Sequence, residues 1–495
     1  MLDKLKQLFS DSIIYGLFFI LGRFLTFLLT PLYTNYLSVV EFADITNIFS
    51  YIAFLNIFYA IGFDSAFFRF YDKNDDSQSQ KIFSTSWLSI LAVSSILTII
   101  IFLNYKLISP IICDSPNKNE LLIYSILIPF FDVISYVPFL YLRITNQARQ
   151  FSLIKLAIIF LTIILTYIFI VYYHLGAIGV IYAHLIASLL AFFFTIHLVI
   201  NNLKLEFNLP IFKEMAQFSI PTIPAQLSGI MLNLGDKPLV KELTDNMSLS
   251  TYNANYRLGL PMMLLVLAFD YAWKPFYLSH FKDENSPKMF ARVLTYLTVI
   301  CALLFLVVSF YINNLVDLPF LGGKVINPIY WSGLDIVPII LAGYYFNGMY
   351  NNFAAGINIS KKTKYLSYSI MVAAGFNLVS NLIFIPIYGF RAAAWNTLFS
   401  YMISAAMIYY HSQKVYPITY EWRRIIIVIL SCVGVYSLIT ISNLYFFQII
   451  SEYISVNLFK MFGIVIFVIL IYSFKFFNIN ELDFIKSFVS RKKIN

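Results

Sequence analysis

Apolar runs of about 20 residues recur along almost the entire chain, and each is long enough to cross about 30 Å of hydrocarbon as an α-helix. Inside lipid the backbone must satisfy its own hydrogen bonds, so only helices or closed barrels can span it, and runs this long exclude barrel strands. Charged residues make up 12% of the chain, against about 25% in soluble domains. Polar breaks place helices at about 10–36, 42–69, 82–109, 120–143, 151–173, 177–200, 212–236, 250–276, 290–314, 333–357, 364–385, 389–412, 424–447 and 453–475. The predicted fold class is therefore an all-α polytopic membrane protein of about fourteen transmembrane helices. Its first segment reads as a retained span rather than a cleaved signal.

Loop cations set the expected orientation. Lys4 and Lys6, Arg69 to Lys81, Arg143 to Lys155, Lys204 and Lys213, Lys274 to Arg292, Lys361 to Lys364, Lys414 to Arg424, and the C-terminal basic residues all fall on one side. Only Lys106, Lys118, Lys237, Lys241, Lys324 and Arg391 fall on the other. Both termini are accordingly expected in the cytoplasm. The net charge of +9 is scattered over short loops, which excludes a nucleic-acid surface. Cys113, Cys301 and Cys432 form no CxxC or Cys/His cluster, so neither a disulfide framework nor a zinc site is expected.

The chain repeats itself. FDSAFFRFY at 63–71 closes the second helix and FDYAWKPFY at 269–277 closes the eighth, with Phe63/Phe269, Asp64/Asp270, Ala66/Ala272, Phe70/Phe276 and Tyr71/Tyr277 in register. Gly176 and Gly389 likewise open the sixth and twelfth helices. Copies six helices apart keep their membrane orientation, which predicts two pseudo-symmetric six-helix lobes, 1–204 and 205–416, with substrate between them. A C-terminal helix pair and tail, 417–495, stand outside the repeat.

Charges deep in helices are costly in lipid and usually face a cavity or a partner. Arg23, near the middle of the first helix, offers a bidentate fork to phosphate oxygens; its structural alternative is an ion pair with Asp132 in the fourth helix. Arg257, two turns into the eighth helix, is a second candidate, the alternative being snorkelling to the outer face. Asp236 and Lys237, with Lys241, read either as a solvated helix cap or as part of a gate. Asp64 and Asp270 could pair with Arg69 and Lys274 as gate contacts or couple an ion. Asn351, Asn377 and Asn381 belong to an amide-rich stretch suited to sugar hydroxyls or to bonds between helices. Pro221 and Pro224 predict a bent seventh helix. No catalytic constellation, cofactor motif or metal-ligand spacing occurs.

Several segments carry a family resemblance: FSIPTIPAQLSGIMLNLGDKPLVKEL at 218–243, STYNANYRLGLPM at 250–262, AWKPFY at 272–277, IVPIILAGYYFNGMYNNFAAGINISKKTKYL at 336–366 and NLVSNLIFIPIYGFRAAAWNTLFSY at 377–401. In order and spacing the chain resembles the oligosaccharide (O-antigen-type) flippases of the multidrug/oligosaccharidyl-lipid/polysaccharide exporter superfamily. That resemblance implies a fourteen-helix, two-lobed transporter in a bacterial cytoplasmic membrane, whose cargo is a polyprenyl-diphosphate-linked oligosaccharide. Membrane lipid, a glycan polymerase and glycosyltransferases would be its partners. A multidrug exporter of the same superfamily is the nearest rival, and a membrane polysaccharide polymerase or ligase the enzymatic one.

Overall fold

Wherever the sequence runs apolar for long enough, the chain is helical. The computed structural model describes residues 16, 18, 20–445, 453–474 and 476. Residues 20–27 and Leu29–Tyr36 form α1, Val39–Ala60 and Phe63–Phe70 form α2, and Asp76–Leu103 forms α3. Lys118–Ile134 and Tyr136–Ile144 make α4, Ala148–Tyr167 with a π turn over Ile168–Tyr172 makes α5, and Ala177–Asn202 is α6. The seventh helix, α7, runs through Leu209–Ser219, Ile220–Thr222, Ile223–Leu234 and Asp236–Leu243. The eighth, α8, runs through Asn246–Tyr256, Arg257–Gly259 and Leu260–His280. Ser286–Asp317 is α9, and Pro328–Ile336 leads into Val337–Ile359 as α10. Lys364–Tyr388, Phe390–Val415, Trp422–Tyr445 and Tyr453–Ser473 complete the series as α11 to α14.

Ten helices among the described residues are long and apolar enough to cross a membrane. The predicted spans outside that set are α1, whose start lies outside the described residues, and α7, α8 and α12, which are broken or polar. Each break has a local cause. Pro221 and Pro224 lie in and beside the 3₁₀ turn Ile220–Thr222, which interrupts α7 where the sequence places a bend. In α8, Pro261 cannot donate to the carbonyl of Arg257, and the helix passes through a 3₁₀ turn at Arg257–Gly259 in which Leu260 bonds that carbonyl instead. The expected span 82–109 also differs: α3 ends at Leu103, and a separate short helix, Tyr105–Ile112, follows. The start of the first span and the C-terminal basic tail lie outside the described residues.

Packing follows chain order. The helices α4, α5 and α6 pack together, as do α10, α11 and α12, while α13 and α14 pack on each other and on α9. The first segment of α7 lies on α2 and α3, whereas its later segments reach α11. At the charge-poor end of the molecule, a hairpin (Pro319–Phe320 with Gly323–Lys324) sits over the end of α1. There Asn35 donates to the Lys324 carbonyl at 2.6 Å and Tyr36 to the Leu321 carbonyl at 2.8 Å.

The glycine echo has a backbone counterpart. Gly176 (φ 62°, ψ −141°) and Gly389 (φ 64°, ψ −155°) adopt nearly the same conformation, one essentially reserved for glycine. Around Gly176 there is no room either, since an added Cβ would lie 2.1 Å from the Glu41 carboxylate. Glu41 closes the capping box of α2 with Ser38 and accepts the Ala177 N–H at 3.0 Å, tying α2 to α6. Gly176→Ala is expected to cost about 1–3 kcal/mol from backbone strain plus the loss of this contact. Gly389→Ala, where a Cβ meets nothing within 4 Å, should cost less. Thermal melting of the two purified variants checks the order.

Candidate functional site: a cationic cluster between α1, α7 and α8

Arg257 owes its position to the break in α8, which turns its side chain toward α1. Its Nη1 donates to the Thr30 hydroxyl at 3.2 Å, and the guanidinium lies 5.6 Å from the centre of the Tyr33 ring. It does not snorkel to the outer face. Tyr33 in turn reaches His184 of α6 at 3.5 Å, and His184 stacks on Phe49 at 4.4 Å.

Lys237 stands on the last segment of α7, its ammonium 5.3 Å from the centre of the Tyr256 ring. It feels the charges of Asp236, Arg257 and Arg23 together. Arg23 itself is not covered by neighbouring side chains on α1, and its charge also reaches Tyr344 of α10 and Tyr271 of α8. Three cations from three helices thus converge. The ion pairs among the described residues engage other cations, namely Lys241, Lys274, Lys324, Arg391 and Arg424. Arg23, Lys237 and Arg257 are left without a carboxylate at ion-pair distance among those residues. Such a concentration of one charge sign at depth calls for water or an anion.

Asp236 is 1% exposed, so the solvated cap that the sequence allowed is not what forms. Its Oδ2 accepts the Tyr252 hydroxyl and, at 3.4 Å, that of Thr397 from α12, while Oδ1 has no partner among the described residues.

Other expected site residues go elsewhere. Asp132 does not pair with Arg23; it bonds the Ser188 hydroxyl and faces the charge of Lys155, so α4, α5 and α6 absorb it. Asp64 is not paired with Arg69 either: it accepts from Gln226 of α7 at 3.4 Å, and Arg69 instead lies 4.4 Å from the Phe218 ring centre. Asp270 and Lys274 form an ion pair at 2.8 Å. Asn377 and Asn381, both 0% exposed, make an amide chain in which Asn396 donates to Asn381 at 2.9 Å and Asn381 to Asn377 at 3.0 Å. That chain joins α11 to α12, leaving these amides turned inward rather than toward a sugar. Asn351 is half-buried on α10. Among the described residues no group of three or more His, Cys, Asp or Glu could hold a metal ion.

Two residues that the sequence did not mark, Asp44 and Asp114, meet Lys241, which it did. Lys241 is buried and donates to Ile112 O at 2.6 Å, Asp44 Oδ1 at 3.1 Å and Asp114 Oδ2 at 3.3 Å. Asp44 also accepts the backbone N–H groups of Asp114 and Ser115, at 2.9 Å each. Partial burial acts to raise the Asp114 carboxyl, but the Asn246 amide and the Lys241 ammonium outweigh it and hold it below the usual carboxylate range. In sequence Asp44 is merely an acid in the first turns of a helix, and its partners lie about 70 and 200 residues away; only the fold brings them together.

The same architecture occurs in solved transporters. A profile of the polysaccharide biosynthesis protein family matches residues 34–324. The lipid II flippase MurJ, in an inward closed conformation, superposes with a TM-score of 0.72 at 18% identity, covering 93% of this chain and 99% of that one. An inward-facing multidrug resistance MATE family transporter of the MOP superfamily gives 0.62 at 14% identity, over 79% of this chain and 94% of that one. An uncharacterized membrane protein of Methanocaldococcus jannaschii, MJ1068, is 28% identical over 210 residues, which is 40% of this chain and only 38% of that relative.

Proposed function

The chain belongs to the polysaccharide biosynthesis protein family, and from that premise we propose that it carries a polyprenyl-diphosphate-linked oligosaccharide from the cytoplasmic to the periplasmic leaflet of a bacterial inner membrane. The observation that carries the reading is the cluster of Arg23, Lys237 and Arg257, none with a carboxylate at ion-pair distance among the described residues. A diphosphate headgroup crossing about 30 Å of hydrocarbon needs fixed cations to replace its water, and two arginines and a lysine suit phosphate oxygens. In this reading α1–α6 and α7–α12 are two lobes that rock by alternating access, and both termini are cytoplasmic. Glycosyltransferases supply the cargo and a glycan polymerase takes it up outside. An inside-negative potential drives an anionic headgroup outward by about 2.3 kcal/mol per charge per 100 mV. Asp236, with one free carboxylate oxygen beside the Thr397 hydroxyl, is the residue best placed to couple a cation to the cycle.

Export of cationic drugs, the rival within the superfamily fold, would favour an acidic cleft; here Arg23, Lys237 and Arg257 outnumber the one carboxylate beside them, Asp236. Purified protein is expected to bind a polyprenyl-diphosphate sugar saturably and to ignore cationic dyes such as ethidium. Dye binding without lipid binding would replace the flippase reading with the drug-export one.

A further inference from the structure

Directly beyond the cationic cluster, toward the charge-poor end, lies a second charged group that the transport reading does not use. The ammonium of Lys241 is buried and fully coordinated, with Asp44, Asp114 and the Ile112 carbonyl each taking one of its bonds. These partners belong to α2 and to the turn after the short helix Tyr105–Ile112, whereas Lys241 belongs to α7. Further bonds cross the same seam. Asn246 donates to Asp114 at 2.9 Å, Ser250 to the Val39 carbonyl at 2.8 Å, and Asn253 to the Thr46 hydroxyl at 2.8 Å. Asn47 of α2 braces the Ile112 carbonyl from the other side at 2.8 Å.

Two of these contacts stand one helical turn from the cationic cluster. Lys237 and Lys241 are i, i+4 on the last segment of α7, and Asn253 and Arg257 are i, i+4 on α8. A turn is about 5.4 Å, so whatever pulls Lys237 and Arg257 acts through rigid helix on Lys241 and Asn253.

We propose that Lys241, Asp44 and Asp114 form a charge latch that seals the charge-poor end, and that its release is what opens the cationic cluster to that side. The latch rests on the transport reading only for its meaning as a gate. Its charges leave water when it forms, so a lone Lys241 or Asp44 cannot stay buried once its partner is gone. Losing the lysine therefore opens the seam rather than leaving it dry. A reporter is built in. Cys113 is 0% exposed beneath the latch, while Cys301 and Cys432 are buried in α9 and α13. Burial, with Asp44 adding to it, pushes the Cys113 thiol well above its ordinary pKa, which keeps it unreactive while the latch holds.

The full-length protein in proteoliposomes is treated with a membrane-impermeant maleimide, and the three cysteines are followed separately by peptide mass spectrometry. In Lys241→Met the modification rate of Cys113 should rise at least tenfold, with Cys301 and Cys432 unchanged. If all three rise together, the variant has unfolded, and the half-exposed Asp114 then carries the test. Asp114→Asn should speed Cys113 alone by about threefold or more, and an unchanged Cys113 in that variant overturns the latch. So does an unchanged Cys113 in a folded Lys241→Met. The assay needs no cargo. Adding undecaprenyl diphosphate to the wild type should shift the Cys113 rate if the flippase reading holds; no shift, beside a positive Lys241→Met result, removes that reading and leaves the latch standing.

Discussion

Glycan export is expected to fall at least 100-fold when Arg23 and Arg257 are both replaced by alanine. A hydrogen bond to a charged group is worth about 1.5–3 kcal/mol, so losing two guanidinium contacts removes about 3–6 kcal/mol of headgroup binding, or about two to four decades. The fold should tolerate the change. Arg257 bonds only the neutral Thr30 hydroxyl and faces the Tyr33 ring, and Arg23 is exposed, so neither substitution strands a buried carboxylate. Surface glycan measured in cells, at matched protein levels, is the readout. Export at the wild-type rate would refute the cationic cleft. Arg257→Lys, which keeps the charge but loses the planar fork, should fall between the two.

The largest loss of stability is expected at Trp273, in the α8 copy of the repeated motif. Its indole is 2% exposed and packs against Phe290, Tyr277, Phe269 and Phe276 with ring centres 5.2, 5.5, 5.7 and 5.8 Å away. In lipid, helices associate by close packing rather than by escaping water, so the void left by Trp273→Ala is felt in full. A cost of about 3–5 kcal/mol follows from large-to-small core substitutions. The indole N–H has no hydrogen-bond partner among the described residues, so Trp273→Phe should cost far less. Melting of the detergent-purified variants measures both; a Trp273→Ala protein within about 1 kcal/mol of wild type would mean that α8 is not anchored through this cluster.

Hydropathy made the helices legible because a bilayer permits so few alternatives. Proline marked one interruption as well: Pro221 and Pro224 lie in and beside the 3₁₀ turn of α7. Charge within long apolar runs made Arg23 and Arg257 candidates, since nothing in such a run explains a guanidinium. What periodicity does not contain is the partner. Asp132 lay at a depth suited to Arg23 but points among α4, α5 and α6, because depth fixes position along the membrane normal and not direction around the helix. The asparagines left two uses open for a related reason. An amide serves a sugar or a neighbouring helix equally well, and the structure joins Asn377, Asn381 and Asn396 to one another. Asp44 was invisible because an acid in the first turns of a helix has an ordinary use there. Its pairing with Lys241 spans 197 residues.

Among the described residues α7, α8 and α12 are the spans least able to enter a bilayer unaided, since 3₁₀ turns interrupt α7 and α8 and α12 is polar. Partitioning from the translocon one at a time would expose Lys237 of α7 or Arg257 of α8 to acyl chains at a cost of about 2.5–3.5 kcal/mol apiece. Biogenesis must then proceed from the outside in. The apolar helices settle first, and these three are retained at the insertion machinery until those neighbours can shelter them, so the helices that carry Lys237 and Arg257 are the last to be placed.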